Sequence, residues 1–270
     1  MKSKLKKLEN ISKRIRLSVL ETTVKKSKGH IGGTYSCIDI LVALYYGNIL
    51  RINNKNYKNK NRNRFILSKG HACLALYSIL NDLKILTKKK LLTYGDNGGI
   101  GAQLDMNIPG VDWVTGSLGH AVGVSCGFAY SAKLDKLKYK SFVLLGDAEC
   151  EEGSIWEAFT FAANKKLNNL VVIVDRNRLS VTDVLDDNSF FKNYDKILKS
   201  LGWNYFDIDG HSYNELLNAL NKSLLSLRPT LIICNTLKGK GVSFMENSIK
   251  FHHALPSPDQ VKLAIKELQK

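Results

Sequence analysis

Several features are missing from this 270-residue chain, and each absence narrows what it can be. No two cysteines form a CxxC pair. The five thiols, at positions 37, 73, 126, 150 and 234, are an odd number set among apolar or small residues. That argues against a disulfide framework and fits thiols acting as small hydrophobes in a reducing, cytoplasmic setting. The N-terminus KSKLKKLENISKRIRLSVLE lacks the apolar stretch of about 7–15 residues that a signal peptide needs. The apolar run IDILVALYYGNIL is too short and too polar to span a bilayer, so no membrane partner is expected. Acids are scarce beside bases, 24 against 40, for a net charge of +16. Such a surplus could serve nucleic acid or an anionic ligand. The bases are scattered, however, and no zinc-finger or RNA-recognition pattern accompanies them, which argues against nucleic acid. There is no internal repeat and no low-complexity linker, so residues 1–270 read as a single domain.

What is present is a regular alternation. Apolar spacing predicts helices over about 4–25, 36–47 and 71–82, and RFIL (64–67) reads as a short strand. A long helix is expected from about 117 to 135, with Gly119, Gly123 and Gly127 on one face, where another backbone could approach closely. Then SFVLL, LVVIVD, WNYFDID and TLIICNT read as strands separated by helical segments, with a short helix after Pro256 and Pro258. Continuous apolar strands between amphipathic helices predict an α/β fold: a parallel sheet covered by helices on both faces, preceded by a helical layer.

One stretch, LLGDAECEEG (144–153), ends an apolar strand in four acids. Crowded carboxylates repel one another and are costly to bury; they mark either a solvated loop or a cation site. In an open parallel sheet ligands gather beyond the carboxyl ends of the strands. Asp147 lies just past SFVLL, and Asn177 lies just past LVVIVD, about 30 residues on, the length of one βαβ crossover. The two should arrive side by side, with the helix starting near Gly153 aimed at the same place. A carboxylate, an amide oxygen and a loop carbonyl are hard ligands suited to Mg²⁺ or Ca²⁺, and helix N-termini favour phosphate there.

GDAECEEG followed by DRNRLS resembles the thiamine diphosphate motif, a GDG segment with an asparagine about thirty residues downstream. KSKGHIGG, RFILSKGHACLALYSIL, PGVDWVTGSLGHAVG, IDGHSYNEL and TLKGKGVSFMEN with FHHALP resemble transketolase segments, in family order. The resemblance implies the thiamine diphosphate-binding fold of the family's diphosphate domain. It implies that the metal is held by Asp147, Asn177 and the carbonyl of Leu179, and that Gly116, Leu118, Gly146, Asp147, Ala148, Glu152 and Asn177 lie along the cofactor. His30, His71 and His252 match histidines of the diphosphate and substrate channel, and Glu152 matches an acid that relays protons between cofactors. Glu149 and Glu151 are left as surface charges, and Lys238 and Lys240 as partial charge offsets. His211 is assigned a structural or interface role.

The resemblance covers the diphosphate-binding domain only. It implies the N-terminal subunit of a split transketolase-like enzyme, transferring a two-carbon ketol unit between sugars. A partner polypeptide would carry the pyrimidine-binding domain, in a heterotetramer built on a central dimer. Several positions depart from the family pattern. Ala148 replaces the second glycine of GDG, which requires a negative φ there. Arg178 follows the metal asparagine, His120 replaces a glutamine, and Gln103 stands where a transketolase histidine would align. The last points away from ordinary pentose phosphates toward a modified or nucleotide-linked sugar. Rival readings are the α subunit of a 2-oxo acid dehydrogenase, a deoxyxylulose phosphate synthase fragment and a non-catalytic cofactor-binding subunit.

Overall fold

The computed structural model describes residues 2–180 and 193–270, apart from the side chain of His252. Helices α1 (Lys2–Lys26), α2 (Ile31–Ser36) and α3 (Ile38–Tyr46) lead into β1 (Arg64–Leu67), α4 (Cys73–Asp82) and the short α5 (Lys88–Leu91). There follow α6 (His120–Leu134), β2 (Ser141–Gly146), α7 (Gly153–Asn164), β3 (Leu170–Arg176) and α8 (Tyr194–Ser200). The chain closes with β4 (Asn204–Asp209), α9 (Tyr213–Leu224), β5 (Thr230–Asn235) and α10 (Pro258–Leu268).

Among the described residues the five strands form one sheet in the order β1-β2-β3-β5-β4, every pair parallel. Alternate side chains enter two separate cores. Phe142, Leu144, Val171, Ile173 and Ile232 face the core shared with α1, α3, α4 and α9. Val143, Leu145, Val172, Val174, Leu231 and Ile233 face the core shared with α6, α7 and α8. Both faces are covered, which is why the central strands are apolar throughout. β4 differs: it is an edge strand, and its residues are half-buried or exposed in turn.

Three local differences from the sequence expectation have physical causes. The helix expected over 36–47 spans Ile38–Tyr46, and a separate helix, Ile31–Ser36, ends just before it at Cys37. The helix expected from 117 begins at His120, because Gly119 takes a left-handed φ of 77° that ends the preceding loop. At Gly123 and Gly127 an added Cβ would meet nothing within 4 Å. Among the described residues no backbone uses that glycine face; of the three glycines, Gly119 alone is tightly packed, against Ser154 and Glu152. The five cysteines are free and buried, and burial pushes the Cys37 and Cys126 thiols up to about 12. No helix among the described residues is long and apolar enough to cross a membrane.

Candidate cofactor site

Parallel pairing sets Gly146 of β2 opposite Asp175 of β3, so the residues after each strand emerge together. Asp147 opens a 3₁₀ turn, Ala148–Glu151. One carboxylate oxygen accepts the Ala148 amide at 2.9 Å and the other accepts the Arg178 amide at 2.6 Å. The second bond ties the end of β2 to the loop after β3, where Arg178 takes a left-handed φ of 63°. Asn177 Oδ1 accepts the Leu179 amide at 3.2 Å. Asp147 and Asn177 therefore line one cavity of about 230 Å³, along with Gly146, Ala148, Leu118, Leu179 and His71. Ala148 is not among the residues with positive φ, so the missing second glycine leaves this turn unstrained.

The cavity is electrostatically loaded. Burial, and then the negative charge of Asp175, push the Asp147 carboxyl up to about 6. Among the described residues its hydrogen-bond donors are main-chain amides, so no side-chain cation meets its charge directly. Across the cavity Lys238, 1% exposed, reaches the carbonyls of Ser180 at 3.1 Å and Leu179 at 3.4 Å. Desolvation, and then the charge of Lys69, push this ammonium down to about 8. Lys69 is itself buried and pairs with Asp175, while also donating to the Gly33 carbonyl at 3.0 Å. Asp175 is fully enclosed and accepts from Ser36 at 2.6 Å and from Thr236.

These residues fit a hard divalent cation beside a diphosphate. A buried carboxylate held, among the described residues, by main-chain amides, an amide oxygen and a loop carbonyl already touched by an ammonium form an oxygen donor set. The described residues contain no cluster of three or more His, Cys, Asp or Glu that could hold a metal. Lys69 and Lys238 both line this cavity, Lys69 already paired with Asp175.

Other expected site residues fall at graded distances. Gly33 has no Cβ, and one there would sit 3.2 Å from His71 Nε2, so glycine admits this imidazole to the cavity wall. The His30 ring lies 5.6 Å from that of His71 and 5.0 Å from that of His253. Burial, and then His253, lower the His30 pKa. The His253 ring, which sequence reasoning passed over, thus also meets His30; the side chain of His252 lies outside the described residues. Gly116, with φ of 142°, and Glu152 do not line the cavity. Gly116 packs beside Gln103, whose Oε1 also lies over Gly70; Glu152 is exposed and packs on Gly119.

Glu149 corrects the sequence reading. It is 2% exposed rather than a surface charge. Its carboxylate accepts the Ser68 hydroxyl, the Gly119 amide at 3.0 Å and the Gly146 amide at 3.2 Å. It clamps the ends of β1 and β2 to the start of α6. Glu151, by contrast, is exposed. Sequence reasoning also missed Lys69 and Asp175. The one available signal was a lysine and an aspartate standing at the ends of apolar strands.

Residues 8–269 match the family model for the transketolase thiamine diphosphate binding domain. The chain is 36% identical over 263 residues to one subunit of the apulose-4-phosphate transketolase of Phocaeicola vulgatus, covering 97% of this chain and 93% of that one. It is 33% identical over 260 residues to a 6-deoxy-6-sulfo-D-fructose transketolase subunit of a Clostridium species, covering 95% and 94%. The transketolase structure from Campylobacter jejuni superposes with a TM-score of 0.89 at 30% identity, covering 97% of this chain but 42% of that longer one. The chain belongs to the transketolase family, in the part that forms its thiamine diphosphate binding domain.

Proposed function

We propose that this chain holds the diphosphate of thiamine diphosphate through a Mg²⁺ or Ca²⁺ ion bound by Asp147, Asn177 and the Leu179 carbonyl. On this reading it is the diphosphate-binding half of a two-subunit, transketolase-like transferase moving a two-carbon ketol unit between sugars. The observation that carries the reading is the bond from the Arg178 amide to Asp147, which brings both oxygen-bearing strand ends into one cavity. When bound, the cofactor supplies the electron sink for breaking a carbon–carbon bond beside a carbonyl. The chain's own groups anchor and orient it. Lys238 would offset phosphate charge, and Glu149 keeps the Gly146 and Gly119 amides in place. His71, in the cavity wall, and His30 beside it would exchange protons with sugar hydroxyls, and the lowered pKa of His30 favours its neutral, proton-accepting form. His252 and Glu152 stay assigned to the substrate channel and to the proton relay by family position alone.

The pyrimidine end of the cofactor is assigned to a second polypeptide, the complement implied by relatives that are each one subunit of a transketolase. The open glycine face of α6, together with exposed Val114, Leu118 and Phe161, is the surface we assign to chain–chain contact in a heterotetramer. Gln103, packed beside Gly70 and Gly116, and the modified sugars that name these relatives favour a modified sugar as donor or acceptor.

The test is calorimetric titration with thiamine diphosphate in the presence and absence of Mg²⁺. Metal-dependent binding that Asp147→Asn removes is expected; absence of binding by the wild-type chain refutes the reading. Co-expression with a pyrimidine-domain polypeptide, followed by a donor screen from xylulose 5-phosphate to nucleotide-linked keto sugars, identifies the substrate. Turnover by this chain alone would contradict the two-subunit assignment.

A further inference from the structure

A buried polar chain runs from α1 to the strap that carries Lys238, and it contains no residue of the cofactor cavity until its last link. Arg16 donates two bonds to Asp39, at 3.0 and 2.8 Å, and a third to the Tyr35 carbonyl at 3.2 Å. Tyr213 donates to Asp39 Oδ1 at 3.2 Å. His211 Nδ1 lies 2.7 Å from Asp39 Oδ2, and His211 Nε2 accepts the Leu237 amide at 2.9 Å. An imidazole nitrogen that accepts an N–H bears no hydrogen. Nδ1 therefore carries the ring's single proton and donates it in a hydrogen bond to Asp39. Burial alone would raise the Asp39 carboxyl, but Arg16 and His211 hold it well below the usual carboxylate range, so it is a permanent acceptor that fixes the tautomer.

Beyond the Leu237 amide stands Lys238. The strap around it is held through its main chain: Thr236 N to Arg176 O at 3.0 Å, Gly239 N to Gly32 O at 2.9 Å and Asn247 N to Lys238 O at 2.9 Å. Among the described residues His211 is the side chain that anchors the amide next to the lysine. We infer that His211 is a positioning residue: held in one tautomer by the Arg16–Asp39 pair, it fixes the Leu237 amide and so aims the Lys238 ammonium into the cofactor cavity. This rests on the proposed diphosphate role of that cavity. A purely structural role would make His211 matter for stability and not for Lys238.

Two substitutions separate the two ring nitrogens. Asn places a donor where Nδ1 was and keeps the bond to Asp39, but it has no acceptor for Leu237. Gln places an acceptor where Nε2 was. Thiamine diphosphate with Mg²⁺ is titrated against the full chain, and the rate at which an amine-acylating reagent modifies Lys238 is followed by peptide mass spectrometry. H211N is expected to stay folded with a modestly lowered urea midpoint, to bind the cofactor about tenfold more weakly, the scale of one buried hydrogen bond, and to expose Lys238 to faster acylation. H211Q is expected to restore both readings. Equal affinity and equal acylation in H211N and H211Q would overturn the inference. So would unfolding of H211N alone, since the Leu237 bond would then hold the fold and not the lysine. If the wild-type chain binds no thiamine diphosphate, the functional reading fails, while the acylation rates still decide the positioning role.

Discussion

Asp175 and Asp147 stand one residue apart in the register of neighbouring strands, both nearly free of solvent, yet they are built in opposite ways. Asp175 is saturated by side chains: Lys69, Ser36 and Thr236 all converge on it. Asp147, among the described residues, receives main-chain amides and faces a cavity. A carboxylate whose charge is met inside the fold is a structural element. One whose charge is left unmet, at an energetic cost, is an invitation to a cation from outside. The same contrast divides the acid cluster, where Glu149 is consumed by a hydroxyl and two amides while Glu151 points to solvent.

That contrast can be broken by mutation. The largest effect is expected for Asp175→Asn, which strands the Lys69 ammonium in the interior; urea denaturation should show a loss of about 3–5 kcal/mol. A loss under about 1 kcal/mol, the worth of an exposed pair, would dissolve the distinction. Glu149→Ala removes an acceptor from three buried donors, and a loss of about 1–3 kcal/mol is expected, with limited proteolysis reporting a loosened junction of β2 and α6. Asp147→Asn loses one of the two amide acceptors and removes a titrating group, so it should alter the pH dependence of stability in the metal-free chain. The Asp147 carboxyl is raised from an ordinary 3.8 to about 6. Between these values the folded chain keeps a proton that the unfolded chain releases, so wild-type stability falls as pH rises from about 4 to about 6 and the penalty is complete above that. Glu149, also raised by burial, contributes in the same direction. Denaturation midpoints across this range should flatten in Asp147→Asn; an unchanged slope would show that Asp147 carries no such penalty. The smallest effect is expected for Ala148→Gly. Because φ there is not positive, glycine relieves nothing and should cost about 0.5–1 kcal/mol in the thermal midpoint analysis; a gain in stability would mean the turn is strained after all.

The legible parts of the site were those encoded by short-range pattern. Asp147 and Asn177 each follow an apolar strand, and one crossover length separates them. The family segments marked His71, which lines the same cavity, and His30, whose ring meets that of His71. The illegible parts are contacts with no local signature. Ser68 meets Glu149 across 81 residues of sequence, Lys69 meets Asp175 across 106, and His211 meets Asp39 across 172. Glu149 looked like its exposed neighbour Glu151 because charge and spacing are alike at the two positions; only the direction of a 3₁₀ turn buries one of them. That the ring of His253 meets His30 is likewise a matter of which way a turn points a side chain.

By itself the sequence determined the parallel sheet and the edge at which its cavity opens, because strand length, helix period and the handedness of βαβ crossovers leave little freedom once the apolar pattern is set. Tertiary structure alone decided which charges are spent on each other and which are left for a ligand. Pairing depends on three-dimensional proximity between distant segments, and the low polarity of the interior turns each such proximity into a large electrostatic difference.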